Sequence, residues 1–574
     1  MKLVVDGHEV LTDPAELPRL LADDDVVGVD LESTGLDPWR DDIATIQLYG
    51  DKSGTLALIR TPGGIVPQAV KDVISRPGRT LVAHNGVAFD IPFLHNSGVE
   101  VSKADWYDTL VAETAIVPTQ RRDVSKSLRA SAKRRLGTII NKDIEHSGWA
   151  NDELTEDQVL YAVSDVLVLP ALRRSQLDKA VEFGVTRGLE NEMRLVLPVA
   201  WLTINGMPLN PDKLSGYLAK QVEDRAHVQV DFEAEFGAMN ARSPKQVKDA
   251  FISRGVEVLD TKKETLQDLL LLGGKGGELA NIILEYRRPD QRLKVYGGDW
   301  VARHMKPDGR IHPRFWQCST DTTRFSSSGP NGEQIPRDMR YVFGWEPGKK
   351  VVSVDYSQIE IRVAAKIAGD EVLMALLEDE DVHASIAAEA MFHVPIDQVS
   401  PAMRKLAKAV SFTLLFGGGP QKFYEYAHRS GGTLTVDDAY GVVRNFFEKF
   451  KGLADMRARA IGVADQGRPV TIRIPHGLKR MLVGRNIRPT VILNTMVQAS
   501  AASGIKYGIL EAWDRGLVVG KLCNQVHDEL VAVVDADEAT EYAAELKDAM
   551  LVGFRRAVDC NPKVEVKVND FWEE

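Results

Sequence analysis

The stretch KLCNQVHDELVAVV, Lys521 to Val534, constrains the chain more than any other. Two apolar, β-branched runs flank an abrupt His-Asp-Glu, so the segment reads as strand, tip and strand. Its flanks must be buried while its tip carries two adjacent carboxylates. An ordinary exposed turn would account for Asp528 and Glu529 taken alone, because turns favour Asp. A second segment adds to this. VVSVDYSQIEIRVAAKIAGD, from Val351, reads as a strand ending at Asp355 and then a helix with one apolar face. If the two strand ends meet, Asp355 and Asp528 form a carboxylate pair suited to two divalent cations, with Glu529 beside it.

Between these strands lies MRKLAKAVSFTLLFGGG. Arg404, Lys408, Phe412 and Phe416 are each four apart. Four residues advance a helix by about 400°, a drift of about 40° per step, which places all four on one face. Like charges at this spacing cost stability, so an anion is expected over Arg404 and Lys408 and a flat group over Phe412. The row spans about 18 Å at 1.5 Å per residue, the length of an extended nucleoside triphosphate. LLGGKGGELA offers a rival phosphate loop, but Gly276 follows Lys275 where Ser or Thr is needed, and the segment reads as a flexible loop.

The N-terminal third carries a separate set of carboxylates. VVGVDLE, from Val26, alternates as a strand, so Asp30 and Glu32 project from one face. STGLDP is turn chemistry and IATIQLYG its antiparallel partner strand. TLVAH reads as a further strand, Asn85-Gly86 as a turn, and Asp90 as a residue of a helix's first turns. LTEDQVLYAVSDVLVLPAL reads as a helix with Thr155 as N-cap. Tyr161 and Asp165 stand four apart on one face of it. Carboxylates grouped this way repel unless a cation lies between them, and an all-oxygen donor set suits Mg²⁺ or Mn²⁺ rather than zinc.

Bulk properties set the frame. At 574 residues the chain holds about three or four domains. No run of about 18 apolar residues is present, so no membrane helix is expected, and the N-terminal residues lack a signal-peptide pattern. Cys318, Cys523 and Cys560 are scattered and give neither a disulfide framework nor a zinc spacing, which suits a reducing cytoplasm. The net charge of −11 argues weakly against a nucleic-acid partner. Basic residues nevertheless cluster at 133–135, 287–294, 404–408 and 479–488, and segregated charge can line a basic groove on an acidic protein.

Asp30-x-Glu32, then Asp90, then Tyr161-x-x-x-Asp165 resembles the DEDD exonuclease superfamily. That resemblance implies a ribonuclease H-like fold in which the four carboxylates hold two metals and Tyr161 orients the attacking water. DYSQIE, RKLAKAVSFTLLFG and QVHDEL, in that order, resemble motifs A, B and C of the family A DNA polymerases. TRFSSSGPNGEQIP, DVHASIAAEAMF and LNTMVQASAA resemble further segments of that family. It implies a right-hand polymerase on an α/β multidomain chain: exonuclease 1–190, thumb 191–300, palm 301–370 and 490–574, fingers 371–489. Asp355 and Asp528 would bind the catalytic Mg²⁺ ions, with Glu529 alongside and Mn²⁺ able to substitute. Arg404, Lys408, His383, Gln358, Phe412 and Phe416 would meet the incoming deoxynucleoside triphosphate, Lys408 also giving a proton to pyrophosphate. Glu360 would exclude a ribose 2′-hydroxyl. Arg324, Asn494, Gln498, Gln525 and His527 would hold the primer-template DNA, and a single-stranded primer 3′ end would enter the exonuclease site.

The chain departs from the family pattern at Thr323 (usually Gly), Glu333 (an amide), Ser411 and Thr413 (Asn and Gly), Phe416 (Tyr) and Thr490 (Arg). These bear on fidelity and template contacts rather than on the chemistry. The size suggests a phage-type replicative enzyme without a 5′ nuclease domain, working with replisome proteins. Three rivals are a single-subunit RNA polymerase, an exonuclease carrying an inactive polymerase module, and a primer-template scaffold without catalysis. Glu360 and the exonuclease motifs oppose the first. Intact Asp355, Lys408 and Asp528 oppose the others.

Overall fold

The computed structural model describes residues 4–117, 124–140, 148, 149, 151, 153–379, 381–429, 434–484 and 487–572, without the side chains at 271, 272, 409, 412, 426, 428 and 429. The N-terminal part is built on a seven-stranded sheet. Its order is Val4–Val5, His8–Leu11, Leu56–Arg60, Ile43–Gly50, Val26–Ser33, Thr80–Ala83, Asp105–Asp108. Val26–Ser33 runs antiparallel to Ile43–Gly50, as the alternation predicts, and parallel to Thr80–Ala83. The helix Glu156–Leu167 packs across these strands. Thr155 and Gln158 close a reciprocal capping box at its start, which fixes the rotation of the helix and so the direction of Tyr161 and Asp165.

Two long helices follow, Pro211–Phe236 and Gly274–Tyr296, packed on each other. At 1.5 Å per residue they reach roughly 35–40 Å from the body. Their far end carries a small core of its own, with Phe232, Phe251, Leu266 and Ile283. Ser243 caps the helix Pro244–Ile252 as the Ser-Pro start predicts.

The C-terminal half centres on a four-stranded antiparallel sheet ordered Leu522–Val526, Glu529–Asp535, Lys349–Ser357, Lys563–Asn569. Helices Pro489–Asp514 and Ala539–Val558 pack on each other behind it. They approach so closely that a Cβ on Gly553 would lie 2.4 Å from the Gly508 nitrogen, so only glycine fits there. Two boundaries differ from the sequence expectation. The strand expected to end at Asp355 continues to Ser357, because Tyr356 and Ser357 still pair with Lys563–Asn569. Glu529 is the first residue of its strand rather than part of the tip, and the turn is only His527-Asp528, with His527 at φ 56°.

The halves share one continuous hydrophobic core that runs from Val27 and Leu81 to Val354 and Phe554. Polar contacts reinforce the junction. Glu192, His476 and Lys506 are each no more than 1% exposed and lie together: His476 Nε2 sits 2.9 Å from Glu192 Oε1, and Lys506 Nζ donates to the same oxygen. Past Glu32, the loop turns onto the C-terminal half. There Arg40 Nη2 donates to the carbonyls of Ala302 at 2.9 Å and Met305 at 2.8 Å, Lys306 pairs with Asp37 at 2.6 Å, and Trp39 stacks 3.7 Å from His312. No described helix is long and apolar enough to cross a membrane. Cys318 and Cys523 are buried, Cys560 is half-buried, and all three are free thiols.

Candidate active sites

Asp355 pairs directly with Glu529 on one side and with Glu565 on the other. Asp528 sits at the neighbouring tip, its carbonyl accepting from Tyr356 N at 3.2 Å. Burial, then Asp528, Glu529 and Glu565, push the Asp355 carboxyl up to about 8, with Arg340 opposing. Burial pushes Asp528 up to about 6, with Arg324 opposing. Asp355 Oδ1 is buried without a hydrogen-bond partner. The hairpin therefore places carboxylates where only added positive charge can hold them ionised together.

A cleft of 420 Å³ opens over these groups. Asp355, Asp528, Gln358, Glu360 and Glu565 line it together with His383, Arg404 and Lys408. Gln358 holds a left-handed backbone, φ 54°, at the start of helix Ile359–Ala368. Arg404 leans on Asp381 at 2.6 Å, which itself caps the short helix bearing His383. Burial, then Lys408 and Arg404, push His383 below its ordinary value.

The helix Pro401–Leu415 presents Arg404, Lys408, Ser411 and Leu415 to the cleft. Arg404 and Lys408 are the first two members of the expected stripe, and Ser411 and Leu415 join them. The 40° drift per four residues accumulates, so a face that starts at 404 and 408 continues through 411 and 415. Phe416 caps the helix and packs against the hydrophobic core. The Phe412 side chain lies outside the described residues.

Arg324 donates to Glu360 Oε1 at 2.6 Å, so the residue expected on DNA and the one expected at the sugar are an ion pair here. Asn494 and Gln498 are half-exposed, four apart, on a helix whose other residues are mostly buried. His527 is exposed at the tip. Gln525 is 1% exposed; its Nε2 donates to the His527 carbonyl at 2.8 Å, closing the turn, and its Oε1 is buried without a hydrogen-bond partner. Glu529 accepts from Arg340 Nη1 at 3.0 Å and from Ser353 and Trp572. Its oxygens are engaged in the protein.

In the N-terminal domain, Asp30 and Glu32 leave the Val26–Ser33 strand toward the Glu156–Leu167 helix. Burial, then Asp165, Glu32 and Asp30, push the Tyr161 hydroxyl well above its ordinary value, and Tyr161 hydrogen-bonds Asp165. Those four side chains thus share one field. Asp90 opens the helix Asp90–Asn96 at 2% exposure, with Oδ1 unpartnered. Burial and then Asp108 push it up to about 8.

Among the described residues no three His, Cys, Asp or Glu side chains form a ready-made metal cage. Oxygen-only donors with unpartnered Asp90 and Asp355 atoms fit an ion that takes one or two carboxylates and completes its shell with water and phosphate, as Mg²⁺ does.

Sequence reasoning missed several residues. Glu565 and Arg337 line the cleft; Glu565 was hidden in a strand that carries no motif. Asp108 accepts from the backbone of Asn85, Val87, Leu110 and Val111, and so holds the turn before Asp90. Its place before TLVAET is an N-cap signal that could have found it.

The model of DNA polymerase family A matches residues 212–574. The chain belongs to DNA polymerase family A. A 3′–5′ exonuclease model matches residues 9–181, so this is a DNA polymerase that carries a 3′–5′ exonuclease domain. The polymerase is 27% identical to DNA polymerase I of Aquifex aeolicus over 580 residues, covering 95% of each chain. It is 27% identical to DNA polymerase I of Pseudomonas aeruginosa, covering 97% of this polymerase but 64% of that protein. The POL domain of Pol1 from M. smegmatis, solved with DNA primer-template and dNTP, superposes with a TM-score of 0.81 at 23% identity over 98% of this chain and 99% of that one. The fold is therefore that of a mixed α/β exonuclease domain followed by a family A polymerase. The match favours DNA synthesis over the RNA-polymerase, inactive-module and scaffold alternatives.

Proposed function

We propose that the polymerase extends a primer 3′ end on template DNA in the Asp355–Asp528 cleft and trims it at Asp30, Glu32, Asp90 and Asp165. The observation that carries this is the mixed charge of one cleft: Asp355, Asp528 and Glu565 of the sheet line it together with Arg404, Lys408 and His383. Such a space suits a deoxynucleoside triphosphate, with its phosphates toward the cations and its sugar toward Glu360.

Asp355 and Asp528 would hold Mg²⁺ in the polymerase site, and the four N-terminal carboxylates would hold it in the exonuclease site, with Mn²⁺ as a substitute. The bound ions would stabilise charge on the entering and leaving oxygens of an in-line displacement. Arg404, Lys408 and His383 would orient the triphosphate, and Lys408 would give a proton to departing pyrophosphate. Glu360 blocks the space of a 2′-hydroxyl. Arg324 would leave Glu360 to meet DNA, while Asn494, Gln498 and His527 line the primer-template. Gln525 acts through the turn it closes. In the N-terminal site Tyr161 orients the attacking water at a frayed single-stranded primer end. We assign the exonuclease to residues 1–190, the thumb to 191–300, the palm to 301–370 and 490–574 and the fingers to 371–489, and place the protein in the cytoplasm with replisome partners.

Primer extension with and without Mg²⁺, on matched and 3′-mismatched primers, tests the reading. Templated extension of the matched primer and removal of the mismatched nucleotide, both lost on chelation, are the expected results. Extension without a template would refute it.

A further inference from the structure

Trp572 lies three residues beyond the edge strand Lys563–Asn569, outside every sequence motif discussed above. It is 1% exposed, among the largest fully buried side chains. Its position is fixed from several directions. Its backbone N–H donates to the Phe343 carbonyl at 3.0 Å. Its ring meets Phe343 edge-on at 6.5 Å, and the Arg340 guanidinium lies 4.2 Å from its centroid. Its indole N–H donates to Glu529 Oε1 at 2.8 Å. The same oxygen accepts from Ser353 Oγ at 2.5 Å, and Arg340 holds Oε2 at 3.0 Å.

Glu529 is the first strand residue after the His527-Asp528 turn and the direct cross-strand partner of Asp355. Whatever fixes Glu529 fixes both the start of the tip that carries Asp528 and the neighbour of Asp355. An indole N–H is a donor without acceptor capacity, so it can hold a carboxylate in one orientation and cannot exchange roles with it. The side chain of Ser353, two residues before Asp355, shares a strand face with it. Of the three donors, Arg340 and Ser353 share a cavity with Asp355 and Asp528, whereas the Trp572 indole N–H is bonded to Glu529.

We propose that Trp572 is a positioning residue of the polymerase centre, acting through Glu529 on Asp528 and Asp355. The proposal rests on the reading of Asp355 and Asp528 as that centre. Displacing reacting groups by a fraction of an ångström weakens the chemical step more than substrate binding.

Trp572→Phe keeps the ring and the stacked guanidinium and deletes the donor. The expected result is a fall of about tenfold or more in kcat for nucleotide addition, with KM for the deoxynucleotide within about twofold. The exonuclease rate on single-stranded DNA in the same preparation should be unchanged. Combining it with Glu529→Ala should cost no more than the worse single variant, since both remove one path. A merely structural role would instead lower the melting temperature and both activities together. Wild-type kcat in Trp572→Phe, a parallel fall in exonuclease rate, or losses that multiply in the double variant would each overturn the proposal. Asp355→Ala run alongside separates it from its premise. Extension that survives Asp355→Ala refutes the centre, whereas extension lost there but intact in Trp572→Phe refutes only the role of Trp572.

Discussion

Replacing Asp355 by Asn should make the metal-free polymerase more stable while destroying synthesis. Burial, followed by Asp528 and Glu529, raises the Asp355 carboxyl from 3.8 to about 8 in the fold. A raised folded value means that the unfolded chain releases its proton first. The group costs nothing below pH 3.8, and its cost grows as pH climbs to about 8. Roughly four pH units at 1.36 kcal/mol each set an upper bound of about 5–6 kcal/mol. Water entering the open cleft screens part of this, leaving about 2–3 kcal/mol. For a unit of this size that is a rise of about 3–5 °C in melting temperature at pH 8. The assay is differential scanning fluorimetry of chelated wild type and Asp355→Asn between pH 4.5 and 8.5. The gap should open with pH and nearly close at pH 4.5. Millimolar Mg²⁺ should raise the wild type toward the variant, because a bound cation favours the ionised pair. A variant no more stable than wild type at pH 8, or equally more stable at pH 4.5, would refute the repulsion argument.

Asp30→Ala with Glu32→Ala should abolish 3′–5′ degradation and leave extension intact, with Asp355→Ala doing the reverse; gel assays on labelled primers check both. Glu360→Ala should raise ribonucleotide incorporation at least tenfold, measured as the ratio of kcat/KM for the two sugars, and should free Arg324 from its ion pair. Thr323 is fully buried at φ 59°, with its hydroxyl unpartnered. Thr323→Gly should therefore stabilise the fold by about 1 kcal/mol, read from thermal melting. Burial, then Lys506, pushes His476 from 6.5 down to about 4, so the unfolded chain takes up its proton first as pH falls. Stability should drop across that interval, and His476→Gln should flatten that part of the melting curve.

The two centres were legible because each rests on a local rule. Alternation placed Asp30 and Glu32 on one strand face, and the 3.6 period placed Tyr161 and Asp165 together. The abrupt polar tip at 527–529 marked the hairpin. What failed needed tertiary information. The register of Lys563–Asn569 against Asp355, which brings in Glu565, leaves no local trace. The packing of Phe416 against the core at the end of its helix is likewise set by tertiary contacts that a fixed four-residue step does not carry. That Gln525 would be 1% exposed, with its Nε2 bonded to the turn and its Oε1 left without a partner, has no local trace either. Thr323 was noted only as a departure, and its positive φ shows why glycine suits the position.

The continuous core and the Glu192–His476–Lys506 junction hold the Asp30–Glu32 strand and the Asp355–Asp528 hairpin in one packed body. The loop that leaves Glu32 is riveted to the polymerase half by Arg40, Lys306 and Trp39. If the proposed reading of the two sites holds, neither would have to travel and the strand end would. A mispaired end stays open longer than a matched one, so such a scaffold would convert weak pairing into time spent at the second site, and error removal would follow from spacing rather than from a separate act of recognition.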